Sequence, residues 1–121
     1  MTKKTLAERF EVLEQEYNSV MSTKYMGTSA FSHRSQEYID SAKGNNWIAR
    51  AKKLLEDSYG KESDYYKDFN DTQRIAWSSN YQGLVRHYKP IFDAARDDLT
   101  YSGTASTIAT KHAELDLIIN I

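Results

Sequence analysis

Apolar residues near the start of the chain recur every three or four positions, which is the spacing of one face of an α-helix. The repeat consists of Leu6, Phe10, Leu13, Tyr17, Val20 and Met21. Thr5 and Glu8 form a T-x-x-E capping box, which satisfies backbone N–H groups at a helix start. We therefore predict a helix over 5–22. Its apolar seam indicates packing inside the domain, and a coiled-coil-like dimer is the alternative.

The following stretch, 23–35, has no stable apolar period and is rich in small polar residues. It is predicted to be a connection, because such residues favour loops over regular structure. Its apolar side chains, Tyr25, Met26 and Phe31, are expected to hold this connection against the core. A short helix is predicted to follow over 36–43.

The tripeptide Gly-Asn-Asn at 44–46 is predicted to end that short helix, because these residues are poor helix formers. The alternative is one long helix that passes through the glycine at a cost of about 1 kcal/mol. A clear apolar stripe predicts the next helix over 47–59, and Gly60 is suited to the left-handed position that stops it. Ser63 then caps a further helix that ends near 70–71.

From Thr72 a helical period is predicted to resume, with a locally polar spot at 78–80. Pro90 lies inside this segment, where it lacks a backbone N–H and clashes with the preceding turn. We therefore expect one helix kinked near Pro90, or two helices nearly in line. Gly103 ends the segment, and a closing helix is predicted over 104–121. The seam consists of Tyr81, Leu84, Val85, Tyr88, Ile91, Phe92, Ala95 and Leu99.

These elements predict a single all-α domain over 1–121, built as a bundle of five to six helices. A length of 121 residues suits one domain, and one proline with five glycines suits long helices. The sequence contains no cysteine, which excludes disulfides and thiolate metal sites. Its net charge of −1 lacks the basic excess of typical nucleic-acid binders. No apolar run approaches a membrane span, so we expect a cytoplasmic protein with no membrane partner.

The sequence carries no recognisable catalytic constellation. Its three histidines, His33, His87 and His112, are far apart and none has a companion at metal-ligand spacing. The segment 112–114 matches the H-x-E of zinc deaminases, but the cysteines required by that chemistry are missing. Phosphate-binding glycine loops and nucleophile elbows are also missing. We predict no enzymatic activity, no catalytic residues, no metal site and no cofactor.

Two groups of residues are candidates for binding. Arg74, Trp77 and Tyr81 would share one face at helical spacing, and such a face can stack bases or contact a protein. The structural alternative is that Trp77 and Tyr81 belong to the core. The full first group is Arg74, Trp77, Tyr81, Arg86, His87 and Tyr88. The second group, a possible interface near the end of the chain, is Leu115, Ile118, Ile119 and Ile121.

The middle of the chain resembles a helical accessory segment of bacterial anti-phage proteins. The similar residues are Trp47, Leu54, Leu55, Glu56, Gly60, Ser63, Tyr66 and Phe69, followed by Leu84, Asp97, Asp98, Leu99 and Gly103. In that family the segment accompanies a TIR-like or nucleotide-binding effector domain. The likeness is mostly apolar spacing and carries no catalytic residue, so it implies a scaffold or interaction role.

The sequence therefore favours a non-enzymatic helical module for protein interaction or oligomerisation, in bacterial defence or phage counter-defence. Its partner would be another protein or a second copy of the chain. One alternative is a small phage-encoded inhibitor that binds a host protein or nucleic-acid complex. The other is a helical protein that contacts nucleic acid through the face around Arg74, Trp77 and Tyr81.

Overall fold

The computed structural model describes residues 4–28, 35–75, 77 and 79–100. This part of the chain contains four helices and a two-stranded antiparallel sheet. The predicted helical class is confirmed, but the all-α prediction is wrong because of the sheet. Five to six helices is too high a number for the described residues, and the predicted closing helix over 104–121 lies outside them. That 1–121 forms one domain stays a prediction.

Helix α1 (Leu6–Met21) begins and ends close to where its sequence pattern indicates. The Thr5 hydroxyl accepts a hydrogen bond from the Glu8 backbone N–H at 3.1 Å. The Glu8 carboxylate in turn accepts one from the Thr5 N–H at 2.8 Å. The predicted capping box is therefore confirmed. The predicted apolar face is also confirmed, since its buried residues are Phe10, Leu13, Tyr17 and Val20.

The sheet pairs β1 (Tyr25–Thr28) with β2 (Ser35–Tyr38) in antiparallel register. Tyr25 lies opposite Tyr38, and their rings stack with centroids 5.8 Å apart. Gly27 makes this stacking possible, because a Cβ there would lie 2.9 Å from Tyr38 Cδ2. The predicted connection and the predicted short helix after it are wrong over these residues. Cross-strand aromatic pairing outweighs the weak helical pattern.

Two of the three side chains expected to hold this stretch against the core, Tyr25 and Met26, do not do so. Tyr25 and Met26 are 55% and 62% exposed, and Phe31 lies outside the described residues. The anchor is Ile39, which is buried directly after β2. Asn80 fixes its backbone, because the Asn80 side chain accepts from the Ile39 N–H at 3.0 Å and donates to the Ile39 carbonyl at 2.9 Å.

Helix α2 (Ser41–Tyr59) passes through Gly44 without a break, so the longer helix was the correct alternative. The Asp40 carboxylate caps its first turn, which starts the helix before the glycine. Gly44 is buried, and a Cβ there would lie 3.0 Å from Ile39 Cδ1. Burial of Ile39 against the glycine thus offsets the helix cost of about 1 kcal/mol. Gly60 stops the helix at φ 90°, as predicted.

Helix α3 (Asp64–Asp71) begins at the predicted N-cap, Ser63, and ends where predicted. A short 3₁₀ turn (Thr72–Arg74) follows it. The prediction that a long helix resumes at this point is wrong. Ile75 adopts an extended backbone, Trp77 lies outside regular structure, and the next described helix follows Ser79, whose hydroxyl caps its first turn.

The last described helical segment spans 80–100 and is called the helical run 80–100. It starts as α4 (Asn80–Gly83), widens into a π-helical turn (Leu84–Tyr88) and continues over 89–100. The chain thus stays helical across Pro90, and a π-helical turn lies directly before it; the kink expected near Pro90 stays a prediction. A wider turn moves the preceding carbonyls away from the proline ring. The predicted seam is buried at Leu84, Tyr88, Phe92 and Ala95.

All the helices contribute to one aromatic-rich core around Trp47, which is 1% exposed. The indole N–H of Trp47 donates to the Leu13 carbonyl at 2.7 Å. The Trp47 ring contacts Phe92 at 5.1 Å and Tyr17 at 5.4 Å, measured between centroids. Phe10 completes the cluster at 5.2 Å from Phe92. The helical run 80–100 is therefore fixed against both α1 and α2.

A charged network lies beside this core, between α1 and the helical run 80–100. Glu14 Oε1, which is shielded from solvent, lies 3.0 Å from Lys89 Nζ and 3.3 Å from an Arg96 guanidinium nitrogen. Arg96 also pairs with Glu11 at 2.6 Å. The Lys89 ammonium lies 4.4 Å from the centroid of the Tyr17 ring. Lys89 is only 12% exposed, so these pairs are screened less than surface pairs.

Candidate functional site

The predicted face of Arg74, Trp77 and Tyr81 does not form as one helical surface. Arg74 ends the 3₁₀ turn, Trp77 lies outside regular structure and Tyr81 belongs to the next helix. Helical spacing therefore does not apply between them. Arg74 is exposed, whereas Trp77 and Tyr81 are both partly buried against the core.

Trp77 and Tyr88 pack as structural residues. A Cβ at Gly83 would lie 2.7 Å from Trp77 Cδ2, so the indole lies directly on the glycine backbone. The Trp77 ring stacks on His87 at 6.0 Å and meets Tyr88 edge-on at 5.8 Å. Tyr88 is 3% exposed and contacts Phe69 at 4.8 Å. These two rings therefore extend the core, and for Trp77 this is what the structural alternative describes.

Tyr81 and Arg86 are brought together, at a polar hollow of about 380 Å3 between β2 and the helical run 80–100. The Lys24 ammonium lies 5.2 Å from the Tyr81 ring centroid and pairs with Glu37 at 2.9 Å. The hydrogen bond from Lys24 to Glu37 raises the pKa of that lysine. The hollow is lined by Ser35, Gln36, Glu37, Ser79, Tyr81, Gln82, Val85 and Arg86.

The predicted interface residues near the end of the chain, Leu115, Ile118, Ile119 and Ile121, lie outside the described residues.

A larger hollow, which sequence reasoning missed, lies between α1 and α2. Its volume is about 460 Å3. Its floor is apolar and consists of Val12, Leu13, Ala49 and Leu54, and its rim is basic and consists of Lys4, Arg9, Arg50 and Lys53. Val12 and Ala49 lie beside the apolar stripes of their helices, so they did not stand out in the pattern. Only the packing of the two helices shows that they meet.

Two acidic residues hold the basic rim in place. Asp57 pairs with Arg9 at 2.8 Å and with Lys53 at 3.3 Å. The hydrogen bond from Arg9 is the main reason that the pKa of Asp57 is lowered. Glu16 pairs with Arg50 across the two helices. Because four basic residues face only these two acids, the rim keeps a net positive charge.

A second hollow continues the first along the same two helices. Its volume is about 330 Å3, and Arg50 lines both hollows. The residues that line it are Glu16, Ser19, Val20, Ala42, Lys43, Asn46 and Arg50. We call the two hollows together the α1–α2 groove.

Two features are absent from the described residues, namely a metal-binding cluster and a membrane-spanning helix. Within 4–28, 35–75, 77 and 79–100, no three His, Cys, Asp or Glu side chains are placed to hold a metal ion. Among the same residues, no helix combines the length and apolar character needed to cross a bilayer.

No protein-family model matches the chain, and comparisons with curated proteins and with solved structures give no match.

Proposed function

We propose that this chain is a non-enzymatic helical protein-interaction module of the bacterial cytoplasm that binds a helical segment of another protein in the α1–α2 groove. The observation that carries this proposal is the groove, whose first hollow has an apolar floor and a basic rim. The setting in bacterial defence or phage counter-defence rests on the resemblance of the residues around Trp47 and Phe69.

The shape of the groove favours a helix as its occupant. Two neighbouring helices form a shallow channel, and an amphipathic helix fills such a channel with its apolar face. The floor residues Val12 and Ala49 give that face an apolar surface to cover. The two hollows extend along α1 from Arg9 to Val20, which is about 17 Å at the rise of an α-helix.

The charge of the groove favours a protein over a nucleic acid. Strong nucleic-acid sites present many basic residues without internal acids. Here Asp57 and Glu16 already pair with Arg9, Lys53 and Arg50. The stacking face on which the nucleic-acid alternative depended is divided between the core and the surface.

A capture experiment with matched variants tests the proposal. The full chain is used as bait in lysates of uninfected and phage-infected bacteria, and each captured protein is purified and titrated by calorimetry. Ala49→Glu places a carboxylate on the groove floor, and the control Ala94→Glu places one on an exposed site of the helical run 80–100. We expect Ala49→Glu to weaken binding at least tenfold and Ala94→Glu to leave it unchanged.

Two results would contradict the proposal. The first is a purified partner that binds wild type and Ala49→Glu equally well, because it would use another surface. The second is a wild-type chain that, alone in solution, sediments as a larger species than the Ala49→Glu variant does. In that case the groove would be an interface between two copies of the chain.

A further inference from the structure

The two hollows of the α1–α2 groove are lined by equivalent positions one heptad apart. On α1, the lining residues pair as Arg9 with Glu16, Val12 with Ser19, and Leu13 with Val20. On α2, they pair as Ala49 with Ala42, Arg50 with Lys43, and Lys53 with Asn46. Each pair is separated by seven residues, so the same lining pattern occurs twice along both helices.

A seven-residue repeat of lining positions predicts how a third helix would pack in the groove. Seven residues advance an α-helix by about 10.5 Å, and side chains at this spacing return to nearly the same face. Helices that pack along such a seam insert side chains into holes between four residues of their neighbours. A third helix in the groove therefore meets one hollow at each heptad.

The two hollows differ in charge. The first is lined by four basic residues, of which Arg9 and Lys53 pair with Asp57 and Arg50 pairs with Glu16, so four positive and two negative charges leave a net charge of +2. The second is lined by Lys43 and Arg50 but also by Glu16, together with the neutral Ser19 and Asn46. Negative charge on an occupant is therefore favoured most strongly beside the first hollow, at the end of the groove near Lys4 and Lys53.

We infer that the partner segment is an acidic amphipathic helix with apolar side chains seven residues apart, one in each hollow, and with carboxylates flanking the side chain in the first hollow. This inference rests on the proposed function and adds the spacing and the charge of the partner. Leu13 and Ala49 receive one apolar side chain, and their heptad equivalents Val20 and Ala42 receive the other.

The test uses three helical peptides of about 18 residues, long enough to be held helical by one internal cross-link. The first has leucines at i and i+7 with flanking glutamates, the second has leucines at i and i+4 with the same glutamates, and the third has lysines in place of the glutamates. Binding to the full chain is measured by fluorescence anisotropy. We expect the first peptide to bind at least tenfold more tightly than either of the others.

Charge reversal on the protein provides the matched control. Lys53 lies on the groove rim, whereas Lys61 is equally exposed but lies outside the groove. Lys53→Glu is expected to weaken binding of the first peptide at least fivefold, and Lys61→Glu is expected to leave it unchanged. Equal effects of both variants would show that only overall charge matters and would overturn the inference.

The outcomes separate this inference from the proposed function. If all three peptides bind equally and Ala49→Glu abolishes their binding, the spacing and charge are wrong but the groove still binds helices. If no peptide binds, the inference fails, while the proposed function is decided by the captured partner. If Leu115→Ser strengthens peptide binding, the chain's own residues compete for the groove, which contradicts a partner as its usual occupant.

Discussion

Helix α1 has two sides that use similar residues for different purposes. On its packed side, Phe10 contacts Phe92, and Glu14 lies between the cations of Lys89 and Arg96. On its open side, Val12 lines the α1–α2 groove. Both sides combine apolar side chains with ion pairs, but only the packed side is covered by the helical run 80–100.

The difference shows which contacts stabilise the fold and which remain available for binding. Glu14 and Lys89 are 24% and 12% exposed, whereas Glu16 and Arg50 on the open side are 38% and 48% exposed. Removing one partner of a partly buried pair leaves a poorly solvated charge without its counter-charge, so it costs more than removing one partner of an exposed pair, whose contribution is typically below about 1 kcal/mol. The open side can therefore change without unfolding the domain, which is what a binding surface requires.

The largest effect is expected from Trp47→Ala, which removes the centre of the packed side. The substitution leaves a cavity beside Phe92 and removes the donor to the Leu13 carbonyl. We expect it to lower the free energy of unfolding by about 3–5 kcal/mol, measured in urea. Trp47→Phe should cost less, because it keeps an aromatic ring. A loss below about 1 kcal/mol for Trp47→Ala would show that the core is not organised around this ring.

The second-largest effect is expected from the ionisation of Tyr17, which should lower the stability of the fold at high pH. Burial, followed by the negative charge of Asp93, raises the pKa of Tyr17 from 10.0 to about 12. As the pH rises above 10.0, the unfolded chain releases the Tyr17 proton before the folded chain does. The contribution of the neutral Tyr17 hydroxyl to the free energy of unfolding is therefore fully present below pH 10 and is lost as the pH rises to about 12. Wild type should lose up to about 3 kcal/mol more than Tyr17→Phe over this range. Parallel pH profiles of the two proteins would contradict the burial of this hydroxyl.

The two sides of α1 are compared directly by one substitution on each. Glu14→Gln removes the carboxylate that faces Lys89 and Arg96, and we expect it to lower the free energy of unfolding by about 2 kcal/mol. Glu16→Gln removes the partner of Arg50 on the open side and should cost less than about 0.5 kcal/mol. Thermal unfolding at low and high salt measures both. Equal losses would show that the ion pairs on the two sides of α1 contribute equally to stability.

The smallest effect on stability is expected from the substitution that should affect binding most. Ala49 is exposed on the groove floor, so Ala49→Glu should change the free energy of unfolding by less than about 0.5 kcal/mol. Ala94→Glu should behave in the same way. Urea unfolding of both variants checks this. A loss above about 2 kcal/mol for Ala49→Glu alone would show that the groove floor is part of the core.

Local signals in the sequence predicted the elements that depend on neighbouring residues. The capping box of Thr5 and Glu8, the N-cap at Ser63 and the stop at Gly60 all lie where the pattern placed them. The sheet was missed because Tyr25 and Tyr38 pair across thirteen residues, and no local period reports such a contact. The same limitation explains Gly44, which is tolerated in α2 because Ile39 packs on it.

The binding surface was harder to predict, because it is formed by residues that lie beside the apolar stripes. Val12 and Ala49 belong to different helices, and only the packing of α1 on α2 brings them together. The aromatic residues that drew attention in the sequence, Trp77 and Tyr88, are instead used by the core. A tryptophan is highly buried on average, so packing in the core is the commoner use of such a ring in a small domain.

The most direct test of the two-sided account is a titration of the isotope-labelled chain with the acidic i, i+7 peptide, followed by backbone amide NMR shifts. We expect shifts concentrated at the groove positions Arg9, Val12, Ala49 and Lys53, with little change around Ala94 on the helical run 80–100. Shifts concentrated on the helical run 80–100, or at the hollow beside Arg86, would contradict it.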